Sequence, residues 1–267
     1  MVDARVHCLD RGRIRADANY MLEAHNLSTA SEPNPEATRG EGPVYNLVIE
    51  HPEATILWDT GSHPEAATRW PDDLYDAFEH YDADDHSLEA ELDDAGFDLA
   101  DIEAVLMSHL HLDHTGGLHH FAGSDIPVYI HEAELKHAYY CAKTGDGDAA
   151  YLADDFDHEL NWVPVERHRT TPFEGLELLH LPGHTPGLLG MRLDLGDETY
   201  LFTGDQAYLH ANYAHDIPLG PTLLWDRPAW RSSQRWLQEL ERRNDATVFC
   251  GHDPEDFDRL REGLQAE

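Results

Sequence analysis

Apolar positions in this chain come in short runs bounded by turn residues, a pattern that predicts short strands with helices interspersed. Val44-Tyr45-Asn46-Leu47-Val48-Ile49 and Thr55-Ile56-Leu57-Trp58 are β-rich runs separated by His51-Pro52-Glu53, so they read as a hairpin ending at Asp59-Thr60-Gly61. Ser87 can cap a helix whose Leu88, Leu92 and Ala95 share one face, with Gly96 stopping it, and residues 104–107 then form a short buried strand. Val128-Tyr129-Ile130 precedes a helical run over residues 132–140, and Leu176-Glu177-Leu178-Leu179 is a further strand. Residues 188–194 and 199–203 flank Gly196-Asp197 as a second hairpin; a helix over 230–242 precedes a strand over 246–250. The first 30 residues carry only scattered apolar positions, followed by a polar loop at Ser31-Glu32-Pro33-Asn34-Pro35-Glu36. No fixed-period repeat or low-complexity tract is present, so the expectation is an α/β fold in a single domain over residues 1–267.

Composition changes the picture in two ways. The chain holds 41% hydrophobic residues, with six Trp, eleven Tyr and eight Phe, enough to build a large core despite its charge. Against that stand 53 Asp and Glu facing 18 Lys and Arg, with Lys136 and Lys143 the only lysines. Such a surface repels itself, and salt screens the repulsion, which points to a salt-rich cytoplasm. The same field disfavours nucleic acid and anionic membranes as partners and suits a small neutral substrate. Cys8, Cys141 and Cys250 form no C-x-x-C pair, which fits a reducing compartment. The start Met1-Val2-Asp3-Ala4-Arg5 leads into no apolar signal region, and no apolar run approaches the ~20 residues that span a bilayer, so a soluble cytoplasmic protein is expected.

The chemistry concentrates in Ser108-His109-Leu110-His111-Leu112-Asp113-His114-Thr115-Gly116-Gly117, directly after an apolar strand. In extended backbone, side chains two apart point the same way, so His109 and His111 can converge on one metal ion. Asp113 and His114 follow the turn and can face a second ion, with Gly116 and Gly117 giving the backbone freedom to bend. Imidazole and carboxylate together suit zinc and also accommodate iron, cobalt or manganese. The chain has 20 histidines, and His119, His120, His131, His180, His210 and His215 carry no such spacing and stay unassigned.

Here the sequence resembles the metallo-β-lactamase superfamily, whose H-x-H-x-D-H motif stands as His109 to His114. Leu181-Pro182-Gly183-His184-Thr185-Pro186-Gly187, Phe202-Thr203-Gly204-Asp205 and Phe249-Cys250-Gly251-His252-Asp253 match the later motifs in order, each after an expected strand. The resemblance implies a four-layer αβ/βα sandwich, two mixed β-sheets flanked by helices, with the motif-bearing core at residues 44–253 and a variable N-terminal segment at 1–43. It also implies two divalent metal ions, zinc first among them. His109, His111 and His184 would hold one, Asp113, His114 and His252 the other, and Asp205 would bridge them, while Asp59 in the early D-T-G turn would be structural. Cys250 is expected as a small buried apolar residue.

Within the superfamily the chain is most similar to N-acyl-homoserine lactonases, because Gly204-Asp205-Gln206-Ala207-Tyr208 places a tyrosine three residues after the bridging aspartate; Asn212-Tyr213 and Ile217-Pro218 extend the likeness. This implies a lactone or ester substrate opened by a hydroxide shared between the ions, with Tyr208 stabilising the oxyanion and Asp113 or water protonating the leaving alkoxide. An acyl-chain pocket is expected around Tyr20-Met21-Leu22 and the loop after Tyr208, and a homodimer follows from the family. A glyoxalase II-like thioesterase would share the ligands but wants a basic cluster for glutathione, for which the C-terminal region offers mainly Arg242, Arg243, Arg259 and Arg261 among many acids. An iron-dependent oxidoreductase such as a persulfide dioxygenase, or a non-enzymatic metal-binding scaffold, are the remaining readings. Raising salt from about 0.1 M to about 1 M shortens the Debye length from about 10 Å to about 3 Å. A thermal midpoint followed by circular dichroism is expected to rise over that range; a midpoint that stays level or falls removes the salt-adapted reading.

Overall fold

A computed structural model describes residues 2–265. Its strands are, in chain order, β1 (Arg5–Asp17), β2 (Arg39–His51), β3 (Ala54–Trp58), β4 (Phe78–His80), β5 (Ala104–Leu106), β6 (Pro127–His131), β7 (Asn161–Val165), β8 (Arg169–Phe173), β9 (Leu176–His180), β10 (Leu189–Leu195), β11 (Glu198–Phe202), β12 (Thr247–Phe249) and β13 (Leu264–Gln265). They build an eight-stranded sheet in the order β13-β1-β2-β3-β5-β6-β7, with β4 against β1, and a five-stranded sheet in the order β12-β11-β10-β9-β8. Both are mixed: β3, β5, β6 and β7 run parallel while β1, β2 and β3 are antiparallel, and in the second sheet only β11 and β12 are parallel.

Strand alternation explains why the apolar runs look continuous. In β2 and β3, Leu47 pairs with Trp58 and Ile49 with Ile56, and these face the second sheet, where Met191, Phe202 and Phe249 meet them. The intervening Val48 and Leu57 face outward and pack with Val105 against Leu88, Leu92 and Phe121. On the far side, Leu179, Leu201 and Val248 pack on Leu237 and Leu240 of the helix Arg227–Asn244. Both faces of each sheet are therefore buried, as in sheets covered by helices, and the layers follow the expected helix-sheet-sheet-helix sandwich. Among the described residues no helix is long and apolar enough to cross a membrane.

Local signals set most boundaries. Ser87 Oγ accepts from Ala90 N at 3.2 Å, and Gly96, at φ +88°, closes that helix. The last long helix starts at Arg227, three residues before the expected 230, because the Asp226 side chain accepts from Ala229 N and Pro228 fills the first turn. The helix Glu132–Thr144 runs four residues past its expected end, to the left-handed Gly145.

The long strand β1 is where the pattern misleads. Its register against β2 slips between Asp10 and Arg13, with Gly12 at φ +86°, so the buried positions Val6, Leu9, Arg11 and Ile14 keep no single period. Arg11 is only 2% exposed. Its guanidinium donates to His86 O, Asn46 Oδ1, Thr60 O and Ser62 O at 2.7–3.1 Å, so backbone carbonyls and one amide satisfy a buried cation. Burial pulls its pKa down to about 10, which leaves it charged at neutral pH. The N-terminal strand thereby fixes the turn at residues 60–62, against which the histidine motif packs.

Gly116 and Gly117 differ from expectation in their reason. Both have ordinary negative φ, −61° and −96°, so conformational freedom is not what the site needs from them. Space is. A Cβ on Gly116 would overlap the backbone at His63, and one on Gly117 would lie 2.9 Å from Thr60 O. Gly116→Ala is expected to cost roughly 3 kcal/mol by urea unfolding. Gly96→Ala, at positive φ with nothing within 4 Å, is expected to cost about 1 kcal/mol. Equal costs would show that packing at Gly116 is not limiting.

Candidate metal centre

The histidine motifs all lie just beyond C-terminal strand ends on one edge of the sandwich. His109 and His111 follow β5, and Asp113 and His114 sit in the single turn Leu112–Thr115. From the second sheet, His184 lies in the turn after β9, Asp205 in the turn Gly204–Gln206 after β11, and His252 after β12. Because β9, β11 and β12 run in one direction, their ends open on the same side.

The structure brings all seven expected donors together. His184 Nε2 lies 3.0 Å from His111 Nδ1 and 3.3 Å from His109 Nε2. Asp205 Oδ2 is 3.4 Å from His184 Nε2 and 3.6 Å from His109 Nε2, while its Oδ1 is 3.3 Å from His252 Nε2 and 3.5 Å from His114 Nε2. Asp113 Oδ2 completes the second group, 3.6 Å from His114 Nε2 and 3.8 Å from His252 Nε2. The two oxygens of one carboxylate thus divide between two clusters of imidazoles.

Chemistry, not only proximity, makes this a metal centre. His114 Nε2, His252 Nε2 and both Asp205 oxygens are buried without a hydrogen-bond partner, a costly arrangement unless cations fill the gaps. Ligands arranged tetrahedrally at about 2.1 Å from zinc stand about 3.4 Å apart, the spacing seen here. The outward nitrogens are held as metal-bound histidines require. His114 Nδ1 donates to Asp59 Oδ2 at 2.9 Å, His184 Nδ1 to Leu223 O at 2.7 Å, and His252 Nδ1 to Pro43 O at 2.8 Å. Ser108 Oγ donates to Asp59 Oδ2 and receives the His109 Nδ1 proton at 3.0 Å. Asp59, at φ +56°, stands outside the donor cluster and orients it. His111 Nε2 faces Asp148 Oδ2 at 3.1 Å.

Titration follows the same geometry. Burial, then the neighbouring His111, lowers His184 to about 4, leaving a neutral imidazole at physiological pH. Burial and then His114 push His109 down likewise. Burial alone would raise Asp205, but His114, His252 and His109 outweigh it and hold the carboxylate ionised. Tyr208 moves strongly upward, first through burial and then through Asp205 and Asp113, so its phenol keeps its proton. Its ring meets His252 at 4.6 Å and His184 at 5.9 Å between centroids.

Above the centre lies a cavity of about 750 Å³. His111, Asp113, His184, Tyr208 and His252 form its polar floor; Ile14, Met21, Phe78, Leu112, Tyr151 and Trp225 contribute to its apolar walls, and no Arg or Lys lines it among the described residues. Tyr20 and Met21 take the expected place, whereas Leu22 and the loop directly after Tyr208 do not line it. Residues 222–225 do so instead. Asn212 is spent on structure, donating to Met21 O and Ile217 O. Sequence reasoning missed Glu134, a fully buried carboxylate that accepts from Leu110 N, Gly187 N and the Tyr151 hydroxyl at 2.8–3.1 Å and so ties two histidine loops together. Of the six unassigned histidines none joins the centre; His210 lies instead beside Cys250 and Asp256. Cys250 is buried in the apolar cluster under the last long helix.

The sandwich and its histidine-aspartate cluster define a metal-binding α/β protein of one well-known class. Residues 39–252 match the family described as the Metallo-beta-lactamase superfamily, and the chain belongs to it. More particularly, the chain is 30% identical to the N-acyl homoserine lactonase AiiB of Agrobacterium fabrum (strain C58 / ATCC 33970), over 96% of each chain. It is 29% identical to an N-acyl homoserine lactonase of Bacillus cereus over 80% of this chain and 82% of that one. The solved structure of an N-acyl homoserine lactone hydrolase with the product N-hexanoyl-L-homoserine bound at its catalytic metal center superposes with a TM-score of 0.82 at 23% identity, covering 97% of each chain, a likeness of fold.

Asp59→Asn tests how the centre is held. An amide facing His114 Nδ1 favours the tautomer protonated on Nε2, the inward atom, so divalent-metal affinity is expected to fall about 10–100-fold. Titration of metal-free protein against a competing chelator reads this directly. Unchanged affinity would show that Asp59 serves only the turn.

Proposed function

We propose that this chain is a dinuclear-metal lactonase that opens N-acyl-homoserine lactones or related lactones and esters. The observation that carries the reading is Tyr208 set beside a split seven-donor centre at the foot of a largely apolar cavity that no Arg or Lys lines among the described residues. The lactonases among its relatives support the same reading. His109, His111 and His184 would hold one ion, Asp113, His114 and His252 the other, and Asp205 would contribute to both. Two divalent cations, zinc in this reading, would supply Lewis-acid polarisation of the carbonyl and lower the pKa of a water when bound.

The chain's own groups do the rest. The apolar walls take the acyl chain and exclude water from the reacting carbonyl. Tyr208 donates its phenolic hydrogen to the oxygen on which negative charge builds as the carbonyl becomes tetrahedral. Asp113, on the cavity floor, takes up the proton given off as water adds to the carbonyl carbon and passes it to the alkoxide released when the ring C–O bond breaks. A neutral ligand also fits a chain of formal net charge −35, for which the reading adds a salt-rich cytoplasm, a single domain and a homodimer. Glutathione thioesters, which carry carboxylates, find no Arg or Lys in the cavity lining among the described residues.

The test pairs the zinc-loaded protein with N-hexanoyl- and N-decanoyl-homoserine lactone and, in parallel, a glutathione thioester. Lactone opening is expected, with kcat about 10²-fold lower in Tyr208→Phe, as for loss of an oxyanion donor, and no activity in His109→Ala. Cleavage of the thioester alone, or oxygen uptake with iron, would replace the lactonase reading.

A further inference from the structure

Four of the five clustered imidazoles have their outward nitrogen held from the sandwich core or from a backbone carbonyl, by Asp59, Ser108, Leu223 O and Pro43 O. His111 is the exception. Its Nδ1 faces His184 Nε2, inside the cluster, so its Nε2 points away, and Asp148 Oδ2 stands 3.1 Å from that buried atom, an ion-pair contact that falls short of hydrogen-bond geometry. Asp148 stands on the connection between the helices Glu132–Thr144 and Ala153–Phe156, 37 positions along the chain from His111. Its side chain is 31% exposed and lines the cavity.

The connection is built to hold that carboxylate in place. Asp148 Oδ1 accepts from Ala150 N at 2.9 Å, closing a local turn, and Ala150 O accepts from Leu112 N at 3.0 Å, which stitches the turn to the histidine motif itself. On another side of His111 the Tyr151 ring packs edge-on at 4.6 Å, its hydroxyl fixed by Glu134. An imidazole has two nitrogens and, when neutral, one proton; whichever nitrogen meets a carboxylate keeps the proton, and the other offers its lone pair.

We infer that Asp148 is a positioning residue for the metal centre: it keeps the His111 proton on Nε2, freeing Nδ1 to ligate, and orients the ring from the wall of the substrate cavity. The inference rests on the metal-centre reading proposed above. Asp148→Asn removes the negative charge, and its single amide oxygen can serve His111 or Ala150 N but not both. Asp148→Ala removes both.

Cobalt(II) titration of metal-free protein tests it, read by the visible absorption of the bound ion and by a competing chelator. The parent is expected to bind cobalt. In Asp148→Asn and Asp148→Ala, affinity at the more weakened site is expected to fall about 10–100-fold with an altered absorption band, while the thermal midpoint of the metal-free variants stays near that of the parent. Parent and variants with the same affinity and spectrum would overturn the positioning role alone. Variants that lose metal-free stability yet bind cobalt as the parent does would likewise overturn it, leaving Asp148 a turn residue. A parent that binds no cobalt would overturn the metal-centre reading and this inference with it.

Discussion

Everything in this fold answers to one constraint, the convergence of buried lone pairs on a shared gap. The Asp205 carboxylate, 1% exposed, has four imidazole nitrogens within 3.6 Å and no hydrogen bond of its own. In an apolar interior such an arrangement is stable only when positive charge occupies the space between the donors. Each imidazole must then turn its lone pair inward, which requires an acceptor at its outward nitrogen. That requirement fixes the left-handed Asp59, the placing of Ser108, and the carbonyls of Pro43 and Leu223. The sandwich supplies the geometry by bringing strand ends from two sheets to a common edge.

The same constraint explains what the sequence reveals and what it hides. Ligand motifs are legible because His109, His111, Asp113 and His114 lie within six residues and each later donor follows an apolar strand. The hairpins of β2 with β3 and of β10 with β11, and the helix between Ser87 and Gly96, are legible because their pairing or capping is local. Strand β1 is not, since a bulge breaks its alternation and a buried arginine occupies a core position. Its cavity-lining residues Ile14 and Ala16 are hidden with it. Glu134 and Asp148 are concealed differently. In a chain of 53 acidic residues, nothing local separates a carboxylate with buried partners from one that solvates the surface. Gly116 was legible as a necessity but not in its cause, because closeness to His63 depends on a turn more than 50 residues earlier.

Two walls of the cavity differ in what else they carry. Residues 222–225 line it and also hold His184: Leu223 O accepts the His184 Nδ1 proton, Trp225 N donates to His184 O at 3.0 Å, and Asp226 N donates to Gly183 O at 3.0 Å. The wall formed by Ile14, Leu74 and Phe78 makes no such bond to a donor of the centre; it meets the histidine motif by apolar packing, in the cluster that holds Leu112. Substitutions on the first wall therefore act on the hydrogen bonds that hold His184 and on cavity shape at once, whereas those on the second reach the donor cluster only through the packing of Leu112. For a lineage adapting to new ligands, the wall built by the N-terminal strand and the Asp72–Ala77 helix is the more evolvable side, provided Leu112 keeps its packing, and the tryptophan side is under double selection.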